Sequence, residues 1–181
     1  MTAPPLPDLV SSDRLRLVLI SPEDAEGMLA GKRRTSWHVD YPCRDDQDAV
    51  VLVKAGDPQA TWGPRHVTRA FDGLVVGRIG FFGAPAPFEA DSTGGSTDDS
   101  TDVVEEVEVG FGLVEDARHR GVAAEALTAL LRETDRTGVR VRAHVRPENR
   151  AGLKVLATCG FTGLRGTTQE GDLVMVRPLP A

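Results

Sequence analysis

The chain has 181 residues, of which 40% are hydrophobic and 27% charged, which suits one packed domain and leaves little room for two. A net charge of −6 counts against a general nucleic-acid binder, and no apolar run approaches the ~18 residues of a membrane span. Two cysteines (Cys43 and Cys159) and four scattered histidines exclude a disulfide framework and make structural zinc a poor fit, so no metal is expected. The N-terminus shows no basic region followed by an apolar stretch, and the expectation is a cytoplasmic protein, monomeric or homodimeric, with no nucleic-acid or membrane partner.

In chain order, the proline-rich residues 1–11 read as a flexible arm, and residues 12–181 as a single domain. Leu15 to Ile20 alternates like a strand. Ser21-Pro22-Glu23-Asp24 is a helix start: serine caps, proline fits the first turn, and the acids favour the positive end of the dipole. A short helix follows from Asp45 to Lys54. Two strands, 65–71 and 74–82, flank the Asp72-Gly73 turn. Residues 85–104 change character and read as an acidic, polar loop insertion. Between 91 and 108 there are seven acids (91, 98, 99, 102, 105, 106 and 108) and no Lys or Arg. Strand alternation resumes at Glu106 to Leu113. Val122, Ala123, Ala126, Leu127, Leu130 and Leu131 then share one side of a helix, and a strand runs from Val139 to Val145. A helix opens at Pro147-Glu148-Asn149 and closes at Gly160, before two final strands. The sum is a mixed α/β (α+β) fold, a largely antiparallel sheet of about seven strands flanked by helices.

The informative segment runs from Val107 to Leu127. A strand ends, a turn follows, and a helix begins at Arg118-His119-Arg120-Gly121. The first N–H groups of a helix lack internal partners and make an anion site, which Gly121 leaves open and Arg118 and Arg120 render positive. Neither a nucleotide-hydrolysing phosphate loop nor a G-x-S-x-G elbow is present.

Arg118-x-x-Gly121-x-Ala123 resembles the R/Q-x-x-G-x-G/A signature of the GNAT superfamily of N-acetyltransferases. Val107-Glu-Val-Gly-Phe-Gly-Leu113 before it resembles that family's V-E-I-G-Y-G-I strand. Asn149 through Lys154-Val155-Leu156 to Gly160-Phe161 resembles its N-x-x-S-x-x-V-L-x-x-x-G-F helix. The likeness spans about residues 12–178 and is closest to the ribosomal-protein-alanine acetyltransferase-like branch. It implies acetyl-CoA as donor. The pyrophosphate would sit on Arg118, His119, Arg120, Gly121, Val122, Ala123 and Ala124. The pantetheine arm would pair with Leu113 and Val114 as an added strand and bond Asn149.

The resemblance also implies direct acetyl transfer to a primary amine, either a protein N-terminus or a small molecule. A lysine-like amine of pKa ~10.4 loses about 3–5 kcal/mol of effective reactivity at neutral pH, an α-amine only ~1. A carboxylate can take the proton; Glu108 is the candidate base and Glu106, on the same strand face, its alternative. Trp37, Asp40 and Tyr41 lie where related enzymes shape the acceptor pocket, and the acidic run suits a cationic acceptor. Two positions depart from the pattern: Gly152 replaces the motif serine, and the family's usual tyrosine acid is missing, Tyr41 being the only tyrosine. Those departures keep a second expectation open, a catalytically impaired acyl-CoA-binding or sensing module. A protein-interaction domain using the acidic loop is a third.

Overall fold

A computed structural model describes residues 3–57, 59–88 and 104–180. Among these, the elements run β1 (Leu9–Ser11), β2 (Leu15–Leu19), α1 (Pro22–Leu29), α2 (Arg44–Val50), β3 (Pro64–Arg69), β4 (Val75–Phe81), β5 (Ala86–Phe88) and β6 (Val104–Leu113). They continue with α3 (Val122–Asp135), β7 (Arg140–Val145), α4 (Arg150–Thr158), β8 (Gly163–Thr167) and β9 (Leu173–Arg177). The strands form one sheet in the order β1-β2-β3-β4-β6-β7-β9-β8, with β5 added beside β6. Among the described residues every pairing is antiparallel except β6 with β7.

The local causes are those the sequence suggests. Ser21 Oγ accepts the Asp24 N–H at 3.1 Å and starts α1. At the β3–β4 turn, Asp72 accepts the Leu74 N–H at 3.1 Å and Gly73 takes the left-handed φ of 71° that the turn requires. One face of the sheet buries Leu15, Leu17, Val67, Ile79, Val107 and Val109. Across it lies α3, with Ala126, Leu127, Leu130 and Leu131 buried. On the opposite face α1 and α2 cover β3 and β4. Asp24 of α1 approaches His66, and Asp46 of α2 pairs with Arg78.

Three expectations change. The sheet has nine strands rather than about seven, because β1 and β5 are too short to show a period. The segment from residue 3 to 11 is not a loose arm: β1 pairs with β2, Leu6 is buried, and Trp62 and Arg65 donate to the carbonyls of Pro4 and Pro7. Prolines lack N–H donors but keep carbonyl acceptors, and those acceptors tie the segment down. The insertion is also narrower than 85–104, since β5 pairs Ala86–Phe88 with Val104–Glu106. Its acidic centre, 91–102, lies outside the described residues.

Candidate functional site

The register of β6 creates a cleft. Its ladder with β7 covers Glu106, Val107 and Glu108, opposite Arg140, Val141 and Arg142. Beyond Glu108 the two strands separate. β6 runs on to Leu113 beside β4, while β7 runs on to Val145 beside β9.

Alternation fixes which peptide groups meet the cleft. Glu108 accepts from Phe82, and Val114 donates to Val76, so these residues turn toward β4. Val109, Phe111 and Leu113 therefore turn away from β4 and into the cleft. The Leu113 carbonyl is already bonded by Arg118 Nε at 3.0 Å. Val109, Phe111 and the expected Leu113, whose N–H is untouched by that bond, are thus the positions suited to pair with an extended ligand, and the expected Val114 is not. Val114 faces the wrong edge, a matter of register that strand alternation in the sequence leaves open.

At the same end of the sheet α3 begins. Gly121 has φ 74° and no capping side chain, and His119 also has a positive φ of 58°. The first-turn amides of Val122, Ala123 and Ala124 are left for a ligand. Glu125 lies in this turn, where a free carboxylate would repel an anion. Ser12 Oγ donates to it at 2.6 Å and Arg14 Nε at 2.6 Å, while the Arg14 guanidinium also bonds the Arg120 carbonyl. Arg118, His119 and Arg120 are all exposed beside the turn, and Arg118 also braces it by donating to the Leu113 carbonyl. Asn149 caps α4, its Oδ1 accepting the Gly152 N–H at 2.9 Å and its Nδ2 remaining to donate. A Cβ at position 152 would stand 2.7 Å from Asn149 Nδ2, so glycine there accommodates the cap. The donors present therefore fit a pyrophosphate and an amide-bearing arm.

Glu106 and Glu108 share the face of β6 opposite α3. Glu106 is buried and bonded by Arg140 (2.7 Å), Arg142 (3.1 Å) and Arg165 (2.6 Å). Desolvation alone would raise its carboxyl, but hydrogen bonds from the three guanidiniums dominate and hold it at about 2. A carboxylate so held is a structural anion, and the alternative-base role of Glu106 is set aside on that ground. Glu108 is more open, its side chain 21% exposed, with Arg142 at 3.4 Å and His144 Nδ1 at 3.2 Å. On the same face the Phe82 ring covers Gly110, where a Cβ would stand 2.5 Å from it. Phe82 also walls an apolar groove of about 410 Å³ with Val18, Ala49, Leu52 and Val53.

The structure does not bring Trp37 and Tyr41 to Glu108 as pocket walls. Ser36 and His38 bond Val75 at the end of β4, which seats Trp37 in the core. Tyr41 is fully buried, with its hydroxyl 2.9 Å from His66 Nδ1, and burial pushes its pKa up. It is in no position to protonate a leaving group. Asp40 is exposed, with only His38 (3.7 Å) near its carboxylate among the described residues. Cys159 is a packed thiol at the end of α4, raised by burial. The residues missed from sequence are Val109, Phe111, Arg142 and His144. All four depend on the β6–β7 register, which no local pattern encodes.

Among the described residues there is no group of three or more potential metal ligands, and no helix is long and apolar enough to cross a membrane. A sequence model of the acetyltransferase (GNAT) domain matches residues 14–162. A solved structure assigned to the GnaT acetyltransferases, from Bordetella pertussis, is 23% identical and aligns over 95% of this chain and 100% of its own, with a TM-score of 0.60. The ribosomal-protein-S5-alanine acetyltransferase from Vibrio fischeri is 14% identical, over 93% and 94% of the two chains, with a TM-score of 0.55. The microcin C7 self-immunity acetyltransferase, solved with acetyl-CoA and AMP, is 14% identical over 91% and 92%, with a TM-score of 0.57. At such identities the likeness is one of fold. No curated protein sequence gives a significant match.

Proposed function

The chain belongs to the GNAT acetyltransferase family, which implies acetyl-CoA-dependent acetyl transfer, and from that premise we propose that it acetylates a primary amine by direct transfer. The observation that carries the reading is spatial: the splay of β6 from β7, the open start of α3, and Glu108 lie together at one end of the sheet. In this reading the amides of Val122 to Ala124, with Arg120, hold the pyrophosphate of acetyl-CoA. The cleft edge at Val109 and Phe111 and the Asn149 amide align its pantetheine arm. Glu108 supplies the negative charge that favours loss of the amine proton as nitrogen attacks the thioester carbon. The acceptor is a protein N-terminus or a small-molecule amine entering from the face that carries Glu108.

Thiol release from acetyl-CoA with a panel of amines, including peptides with free N-termini, tests this. Amine-dependent release is expected. Binding of acetyl-CoA without release would leave the acyl-CoA-binding or sensing module instead. The cofactor half is tested separately by Gly121→Glu, which places bulk, negative charge and a strained positive φ at the start of α3. Calorimetry should show acetyl-CoA binding weakened at least tenfold, about 1.4 kcal/mol, with the circular dichroism spectrum kept. Unchanged affinity would remove α3 from the donor site.

A further inference from the structure

We infer that His144 is the proton carrier of this site, its Nε2 taking the proton from the acceptor amine while the Glu108 carboxylate beside the ring stabilises the imidazolium that forms. The inference rests on the amine-acetyltransferase reading and names the atom through which Glu108 acts.

The geometry is specific. His144 stands on β7 one pleat past Arg142, the last residue laddered to β6, and so beside the opening of the cleft. Its Nδ1 is 3.2 Å from Glu108 Oε1, and its side chain is 30% exposed. The contact is one of charge and lies outside hydrogen-bond geometry; it places the Glu108 carboxylate beside the ring, where an imidazolium would be stabilised. Arg142 donates to the other Glu108 oxygen at 3.4 Å. Among the described residues, the charged groups in contact with the ring or with its carboxylate partner are Glu108 of β6 and Arg142 of β7. Beyond them stand Glu106, Arg140 and Arg165 as an ion-paired cluster. The β9 residue paired with His144 is Val174, and its same-face neighbour is Val176, so β9 adds no charge there.

Chemically, a neutral imidazole carries one N–H and one lone pair, so it can accept a proton on its free nitrogen and hold it as an imidazolium. The amine nitrogen attacks the thioester carbonyl carbon and forms the C–N bond. Its proton passes to Nε2, giving an imidazolium that Glu108 stabilises. The C–S bond then breaks, its electron pair leaves on sulfur, and the imidazolium returns the proton to the thiolate. The products are the N-acetylated amine and free CoA thiol, with His144 restored. One group thereby performs both proton transfers, and no tyrosine is needed; Leu156 and the rest of α4 supply none, and Tyr41 is buried elsewhere.

The test is a pH–rate profile of parent and His144→Gln on the same acceptor. The ratio of the two cancels the amine's own titration. At pH 7 the variant should turn over about 100-fold more slowly or worse, with acetyl-CoA affinity and melting temperature unchanged. The ratio of parent to variant should fall at acid pH, because a ring protonated on both nitrogens has no lone pair left to accept the proton. His144→Gly should regain turnover when free imidazole is added. A His144→Gln enzyme within threefold of the parent across the pH range would overturn the assignment. So would a loss that leaves the ratio flat with pH and that imidazole does not rescue, since that marks a structural role. A parent that transfers acetyl to no amine would instead overturn the transfer reading itself.

Discussion

Glu106 and Glu108 stand one pleat apart on the same face of the same strand, and they differ in almost everything that decides a carboxylate's role. Glu106 sits where β5, β6 and β7 are all hydrogen-bonded together, enclosed by three guanidiniums and nearly cut off from water. Glu108 sits on the last rung before the sheet opens, with one arginine and one histidine. The ladder that continues past the first carboxylate and stops at the second divides structural charge from chemical charge.

The largest expected effect is on Glu108. Glu108→Gln keeps shape and approximate charge-free volume, and turnover should fall about 100- to 10,000-fold while acetyl-CoA affinity holds. Equal turnover across pH would erase the distinction between the two residues. Next is Glu106→Gln. It leaves three arginines around a neutral amide, and chemical denaturation should show a loss of about 3–5 kcal/mol. The folded carboxyl titrates at about 2, below its ordinary 4.5. Its contribution is therefore complete above about pH 4.5 and disappears as pH falls toward 2. The parent should lose stability across that window more steeply than the variant, and matching slopes would deny Glu106 its anchoring role. The smallest effect is expected from Arg142→Ala. Glu106 keeps Arg140 and Arg165, and the removed side chain is 33% exposed, so the loss should be about 1 kcal/mol or less. A loss as great as that of Glu106→Gln would mean that the three guanidiniums act as one unit.

Much of this was legible in the sequence, and the reasons are local. The helix start at Gly121, the strand around Val107, and the capping Asn149 are each read from a few adjacent residues. What was not legible depends on register between distant segments. Nothing near Leu113 reveals that its carbonyl meets Arg118, nor that the ligand-suited edge extends back to Phe111 and Val109 and leaves out Val114. Glu106 and Glu108 look equivalent until Arg165 arrives from the far end of the chain. His144 reads as one polar position in an alternating strand, and only the separation of β6 and β7 places it beside a carboxylate. Trp37 looked like a pocket wall because aromatic residues serve both surfaces and cores; the bridge of its loop to Val75 decides for the core.

The one parallel pair of strands among the described residues, β6 with β7, has a topological consequence. Two adjacent strands running the same way need a crossover that returns the chain from the end of one to the start of the next, and here α3 is that crossover. A returning helix must begin where the first strand finishes. The open start of α3 therefore lies by necessity at the carboxyl end of β6, the same end at which the strands part. In sheets of this kind ligands collect outside the carboxyl ends of diverging parallel strands. Chain direction alone brings an anion site, a free strand edge and the Glu108–His144 pair to one end of the sheet.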